Sequence, residues 1–243
     1  MYGYILAALA AALIMYIPFP AALVWLWKRR FRNRIARAGA VSITFDDGPD
    51  PAATRPILDL LDSAGVRATF FVTGEAVHAH PGIVREILSR RHEIGEHGYY
   101  HCHPWKTGPA ATFEDLAKSA GEIGSFGGAR QRLFRPPYGK LNLAGLLYVM
   151  LTRRRTVFWT IDPEDYRAET PEQVVGFLKA RVKPGSVILL HDSRRNGRDP
   201  LVTVRALKEV LAFVVGQGFR VMPVGAVLKE AGAGEKSVQA AGN

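Results

Sequence analysis

Asp46 and Asp47 stand side by side, His97 and His101 lie four residues apart, and Arg135, Asp162, Asp165 and His191 follow along the chain. One carboxylate and two imidazoles, Asp47 with His97 and His101, form a ligand set that can hold a divalent ion and leave a coordination position for water. Such an ion acidifies the water and polarises a carbonyl. Asp46 is then placed to take the water's proton, and His191 to protonate a departing amine. Asp165 suits the task of orienting and charging that imidazole, and Arg135 that of steadying Asp46. Together these groups can hydrolyse an amide. Taken singly, each has a plainer reading. An Asp-Asp pair before Gly-Pro is often a turn, two His at this spacing are commonly a solvated or stacked pair, and Arg135 to Gly139 can be a rigid turn.

The elements that must position these groups alternate. Short apolar runs predict strands at Val41 to Phe45, Ala68 to Val72, Glu93 to Gly95, Leu133-Phe134, Thr156 to Thr160, Val187 to Leu190 and Arg220 to Met222. Helical patterns separate them: Thr54 to Ser63, Gly82 to Arg90, Phe113 to Ile123, Leu143 to Leu151, Pro171 to Val182 and Leu201 to Gln217. Alternation of this kind predicts a parallel β/α architecture, a distorted (β/α) barrel or strongly curved sheet with about seven repeats. The polar residues all fall just after strands, at the carboxyl edge where such folds assemble their sites. Scattered surface charge has no reason to collect there.

In their order these segments resemble the motifs of the polysaccharide deacetylase family, carbohydrate esterase family 4. The matching segments are Thr44 to Pro49, His97 to His101, Phe134 to Gly139, Asp162 to Tyr166 and Leu189 to His191. The resemblance covers roughly Val41 to Val224. It implies a metal-dependent hydrolase that removes an N-acyl, and most plausibly an N-acetyl, group from an amino sugar. It also implies zinc on Asp47, His97 and His101, Asp46 as general base and His191 as general acid, with Arg135 and Asp165 tuning them. The backbone N–H of Tyr138 would stabilise the oxyanion, and Pro137, Tyr138 and Tyr166 would line the substrate groove. Two departures stand out. Gly98 replaces a usual Ser or Thr, removing a hydroxyl that supports the metal loop, and Tyr166 replaces a usual Trp.

The rest of the chain bears on location. Met1 to Trp27 carries no charged side chain and exceeds the roughly 20 residues that cross a bilayer. Aromatic residues stand at both ends, and the basic cluster of Lys28, Arg29, Arg30, Arg32, Arg34 and Arg37 follows it. Residues 1–27 are therefore expected to be a transmembrane helix, 28–40 a basic juxtamembrane linker facing anionic lipid, 41–230 the catalytic domain and 231–243 a flexible tail. Positive charge after the span places the domain on the cytoplasmic side of a single-pass membrane protein. That placement keeps open a deacylase or deformylase of a lipid-linked sugar precursor, and also a non-catalytic glycan-binding membrane protein. The net charge of +10 does not argue for nucleic acid, because six of the positive residues sit in that one cluster. Cys102 is the only cysteine, which excludes an internal disulfide.

Overall fold

The computed structural model describes residues 2–4, 14–127, 132–195 and 199–241. Among the described residues six parallel strands form one sheet: β1 (Ser42–Asp46), β2 (Thr69–Val72), β3 (Glu93–Glu96), β4 (Leu133–Phe134), β5 (Arg155–Thr156) and β6 (Val187–His191). Their order across the sheet is β5-β4-β3-β2-β1-β6. The helices are α1 (Pro18–Ala38), α2 (Thr54–Ser63), α3 (Gly74–Ala79), α4 (Pro81–Ser89), α5 (Pro109–Gly124), α6 (Leu143–Leu151), α7 (Pro171–Lys179), α8 (Leu201–Gly216) and α9 (Val224–Ala241).

The sheet is a half-barrel, which corrects the expected seven repeats. At the segment Arg220 to Met222 only a bridge forms, between Val41 and Val221. Pro223 follows and has no N–H to extend the ladder, so the chain turns directly into α9. The segment expected as a strand from Thr156 to Thr160 pairs with β4 only at its start. Val157 N–H still donates to the Phe134 carbonyl at 2.8 Å, and then the chain crosses to β6, where Thr160 N–H donates to Val187. This crossing curls the sheet and brings the ends of distant strands toward one another.

Two apolar layers hold the sheet. On one side Ile43, Phe45, Phe70 and Ile188 pack with Ile57, Leu61, Leu178 and Leu207 from α2, α7 and α8. On the other, Phe71, Phe134 and Phe158 pack with Phe31 and Ile35 of α1 and Val227 of α9. Strands buried on both faces read as continuous apolar runs, which is why β1 and β6 stood out in the sequence.

The N-terminal expectation is corrected as well. Among the described residues no helix is long and apolar enough to cross a membrane. Residues 1 and 5–13 of the expected span lie outside the described residues. The remainder enters α1, one continuous helix that also takes up the basic cluster, and its Val24, Phe31 and Ile35 are buried on the domain. An apolar stripe spent on the protein core is not a face offered to lipid. The single-pass placement, the cytoplasmic orientation drawn from it and the contact with membrane lipid are therefore not supported.

Candidate active site

The residues at the carboxyl edge converge because of register. Asp46 ends β1 opposite His191 at the end of β6, so the two are direct neighbours across the ladder. Glu96 pairs with Phe134, which puts His97 and Arg135, the residues that follow β3 and β4, side by side. Asp47, His97 and His101 then gather with one ligand atom each, all within 4.8 Å of one another. The Asp47 carboxylate lies 3.3 Å from His101 Nε2 and 3.6 Å from His97 Nε2. His97 Nδ1 meets the Arg135 carbonyl at 2.7 Å. A carbonyl can only accept, so Nδ1 carries the proton and Nε2 keeps its lone pair toward Asp47. Burial pushes both imidazoles down to about 4, and the nearness of His97 adds to this at His101, so each is neutral near pH 7. Neutral, oriented imidazoles beside a carboxylate are a donor set that fits a divalent ion.

Arg135 is completely buried. Its Nη1 donates to Asp46 Oδ1 at 2.6 Å and to Thr44 Oγ1 at 2.8 Å, and its Nη2 donates to the Phe158 carbonyl at 3.3 Å. The guanidinium also stacks over Phe71 at 4.1 Å. Burial raises the Asp46 carboxyl to about 6 against the pull of Arg135. Asp46 Oδ2, on the far side of the carboxylate, lies 3.5 Å from His97 Nε2.

His191 is held from the other side. Its backbone N–H donates to Asp165 Oδ2 at 2.8 Å, and its Nδ1 meets Asp165 Oδ1 at 2.7 Å. Thr203 Oγ1 donates to the same carboxylate at 2.6 Å. Burial alone would discharge the ring, but Asp165 outweighs it and lifts the imidazole to about 9. Tyr166 stands edge-on to His191 at 5.2 Å, a smaller wall than an indole would make. Tyr138 has φ 58° and is 45% exposed beside the buried Pro137, its ring 4.6 Å from that of His101. Asp162 serves its own turn, accepting from Glu164 N–H at 2.9 Å.

Several partners escaped the sequence reading. Asp115, on the inner face of α5, accepts from Tyr99 N–H at 3.0 Å and Tyr100 N–H at 2.8 Å, and Cys102 Sγ reaches it at 3.6 Å. This carboxylate braces the loop between the two imidazoles. It also accounts for Gly98: the residue sits at φ +75°, and a Cβ there would come within 2.9 Å of Asp115 Oδ2. Support for the loop that carries His97 and His101 therefore comes from a helix, not from a hydroxyl inside the loop. Asp192 is equally hidden and takes a 2.6 Å hydrogen bond from Thr54 Oγ1 beneath the Asp46 to Pro49 turn. A Cβ at Gly48 would run into that carboxylate, so a larger residue there would displace Asp192. The signal available for Asp115 was a carboxylate on a stripe that also carries Thr112, Leu116, Ser119 and Ile123, all buried. His103 stays outside the ligand set, its Nδ1 accepting from Trp105 N–H at 3.2 Å.

Comparison with known proteins gives the same family as the motifs. The model of the family described as polysaccharide deacetylase matches residues 33–149. A peptidoglycan-N-acetylglucosamine deacetylase of Bacillus cereus is 34% identical over 191 residues, covering 78% of this chain and 88% of that protein. A chitooligosaccharide deacetylase of Bradyrhizobium sp. is 30% identical over 205 residues, covering 81% and 94%. Among solved structures, the peptidoglycan deacetylase PdaC from Bacillus subtilis aligns with a TM-score of 0.72 at 28% identity, covering 83% of this chain and 95% of that one.

Proposed function

The chain belongs to the polysaccharide deacetylase family, metal-dependent hydrolases of carbon–nitrogen bonds, and from that membership we propose how its own residues divide the work. The substrate is an N-acetylated amino sugar within a glycan, of the kind named for the relatives from Bacillus cereus and Bradyrhizobium. Asp47, His97 and His101 hold the divalent ion, and two nitrogens with one oxygen at this spacing favour zinc. When bound, that ion supplies Lewis acidity toward the acyl carbonyl and lowers the pKa of a water.

Asp46 accepts the proton of the attacking water. Arg135 occupies Oδ1, which keeps the carboxylate fixed and leaves Oδ2 for the transfer. His191, charged and aligned by Asp165, gives its Nε2 proton to the departing amine. The backbone N–H of Tyr138 donates to the developing oxyanion, and Pro137, Tyr138 and Tyr166 border the sugar. A single observation carries this reading: base and acid are ladder partners, Asp46 on β1 and His191 on β6, with the three-donor cluster beside them.

The test is acetate release by the purified protein from a panel of N-acetylated glycans, with and without chelator, beside Asp46→Asn. Chelator-sensitive release that disappears in the variant is the expected result. Release that survives both treatments would overturn these roles.

A further inference from the structure

Positive charge gathers at one place away from the hydrolytic centre. Arg30, Arg34 and Arg37 follow one another at i, i+4 and i+7, on one face of α1. Arg153, Arg154 and Arg155 lie in the turn from α6 into the edge strand β5. Far apart in sequence, the two sets line a single groove of about 640 Å³. The hollow that includes Asp47 is smaller, about 330 Å³. The floor of the arginine groove is aromatic: Phe31 meets Phe158 edge-on at 6.0 Å, with Trp27 beside them.

No Asp or Glu is among the described lining residues. Glu96 reaches in to one of the six, bonding Arg154 Nε at 2.7 Å. Glu93 acts on Arg155 from beyond the lining. Arg34 is anchored by Nη2 on the Leu228 carbonyl at 2.9 Å, while its buried Nε has no hydrogen-bond partner. Burial and the facing Arg34 both push the Arg155 guanidinium down. Like charges held across a groove repel, and covering an aromatic floor requires only long aliphatic stems. What arginine adds is a rigid fork of donors that matches phosphate oxygens two at a time. Forks on two opposing walls match charge presented at more than one point.

We propose that this groove is a binding site for a ligand carrying linked phosphate groups, separate from the metal centre. The probe is inorganic pyrophosphate, titrated calorimetrically into the full-length protein at low salt. Orthophosphate and citrate serve as single-phosphate and carboxylate controls. The expected result is one saturable site for pyrophosphate, weakened at least about tenfold in Arg30→Glu/Arg153→Glu, with both controls binding more weakly. Both positions are exposed, so the thermal midpoint and acetate release of the variant should match the parent. Should that variant fold poorly, Arg30→Lys/Arg153→Lys carries the test: it keeps the charge, removes the forks and is expected to lose most of the binding. No saturable heat, equal affinity in the variants, or citrate binding as well as pyrophosphate would overturn the proposal.

Discussion

Asp165 spends both oxygens on His191 and its neighbours, so its loss should be read in pH as well as in rate. A general acid must be protonated, and activity therefore falls as pH rises through the His191 value of about 9. In Asp165→Asn, burial is opposed only by the charges of Asp47 and Asp46, and the imidazole falls well below about 9. The alkaline limb of kcat/KM should move down accordingly, with kcat at pH 8 reduced about 100-fold or more. A purely structural role for Asp165 would lower the rate and leave the limb where it was. Asp115 gives a second prediction at this scale. Asp115→Ala removes the acceptor for two loop N–H groups, and divalent-ion affinity should fall about 10- to 100-fold in a competition titration with a chromophoric chelator. The two residues differ in how far the sequence revealed them. Asp165 sat in a motif after a strand, whereas Asp115 was one carboxylate in a helix, and only the packing of α5 under the loop gives it a task.

Elements were legible where their patterns were local. The expected spans Thr54 to Ser63 and Leu143 to Leu151 are those of α2 and α6: α2 has a clean apolar repeat, and α6 is an almost wholly apolar run that begins at the Asn142 cap. β5 was misplaced because strand pairing depends on a distant partner: after Val157 the chain leaves β4 for β6, a choice no local pattern encodes. Asn142 joins elements in a way propensity does not reveal. It caps α6 by accepting from Gly145 N–H at 2.8 Å, and its amide donates to the Pro104 carbonyl at 2.8 Å and Thr112 Oγ1 at 2.9 Å. The side chain is completely buried and ties the segment after His101 to α5 and α6. Asn142→Ala should destabilise the protein by about 1–3 kcal/mol in urea unfolding, since it strands several buried groups at once. Asn142→Asp should do no better, because a carboxylate keeps the cap and loses both donors.

For the molecule as a whole, parallel architecture and the carboxyl-edge site followed from alternation alone, but closure did not. Whether the sheet forms a barrel or a half-barrel depends on a single proline after Val221 and on where one segment crosses. The N-terminal helix went astray for a related reason. Its apolar stripe is as consistent with lipid as with a protein surface, and only the aromatic layer beneath it, Phe31 on Phe158, shows which one it meets. Docking of α1 also gathers the arginines that the sequence had divided between two separate clusters.

Arg135 binds the whole edge together. Its guanidinium holds Thr44 and Asp46 at the end of β1 and the Phe158 carbonyl beyond β5, while its backbone N–H donates to Glu96 of β3 and its carbonyl accepts from His97. Opening β1 or β4 alone leaves Asp46 and Arg135 buried and unpaired, and opening β3 takes from the Arg135 N–H its buried acceptor. Amides at the ends of β1, β3 and β4 should therefore exchange with deuterium in unison, at the rate of global unfolding. Exchange measured site by site would show a single slow class there, and a spread of rates along that edge would mean the guanidinium is no such clasp. In this protein the chemistry and the last-opening part of the fold would then be the same few residues.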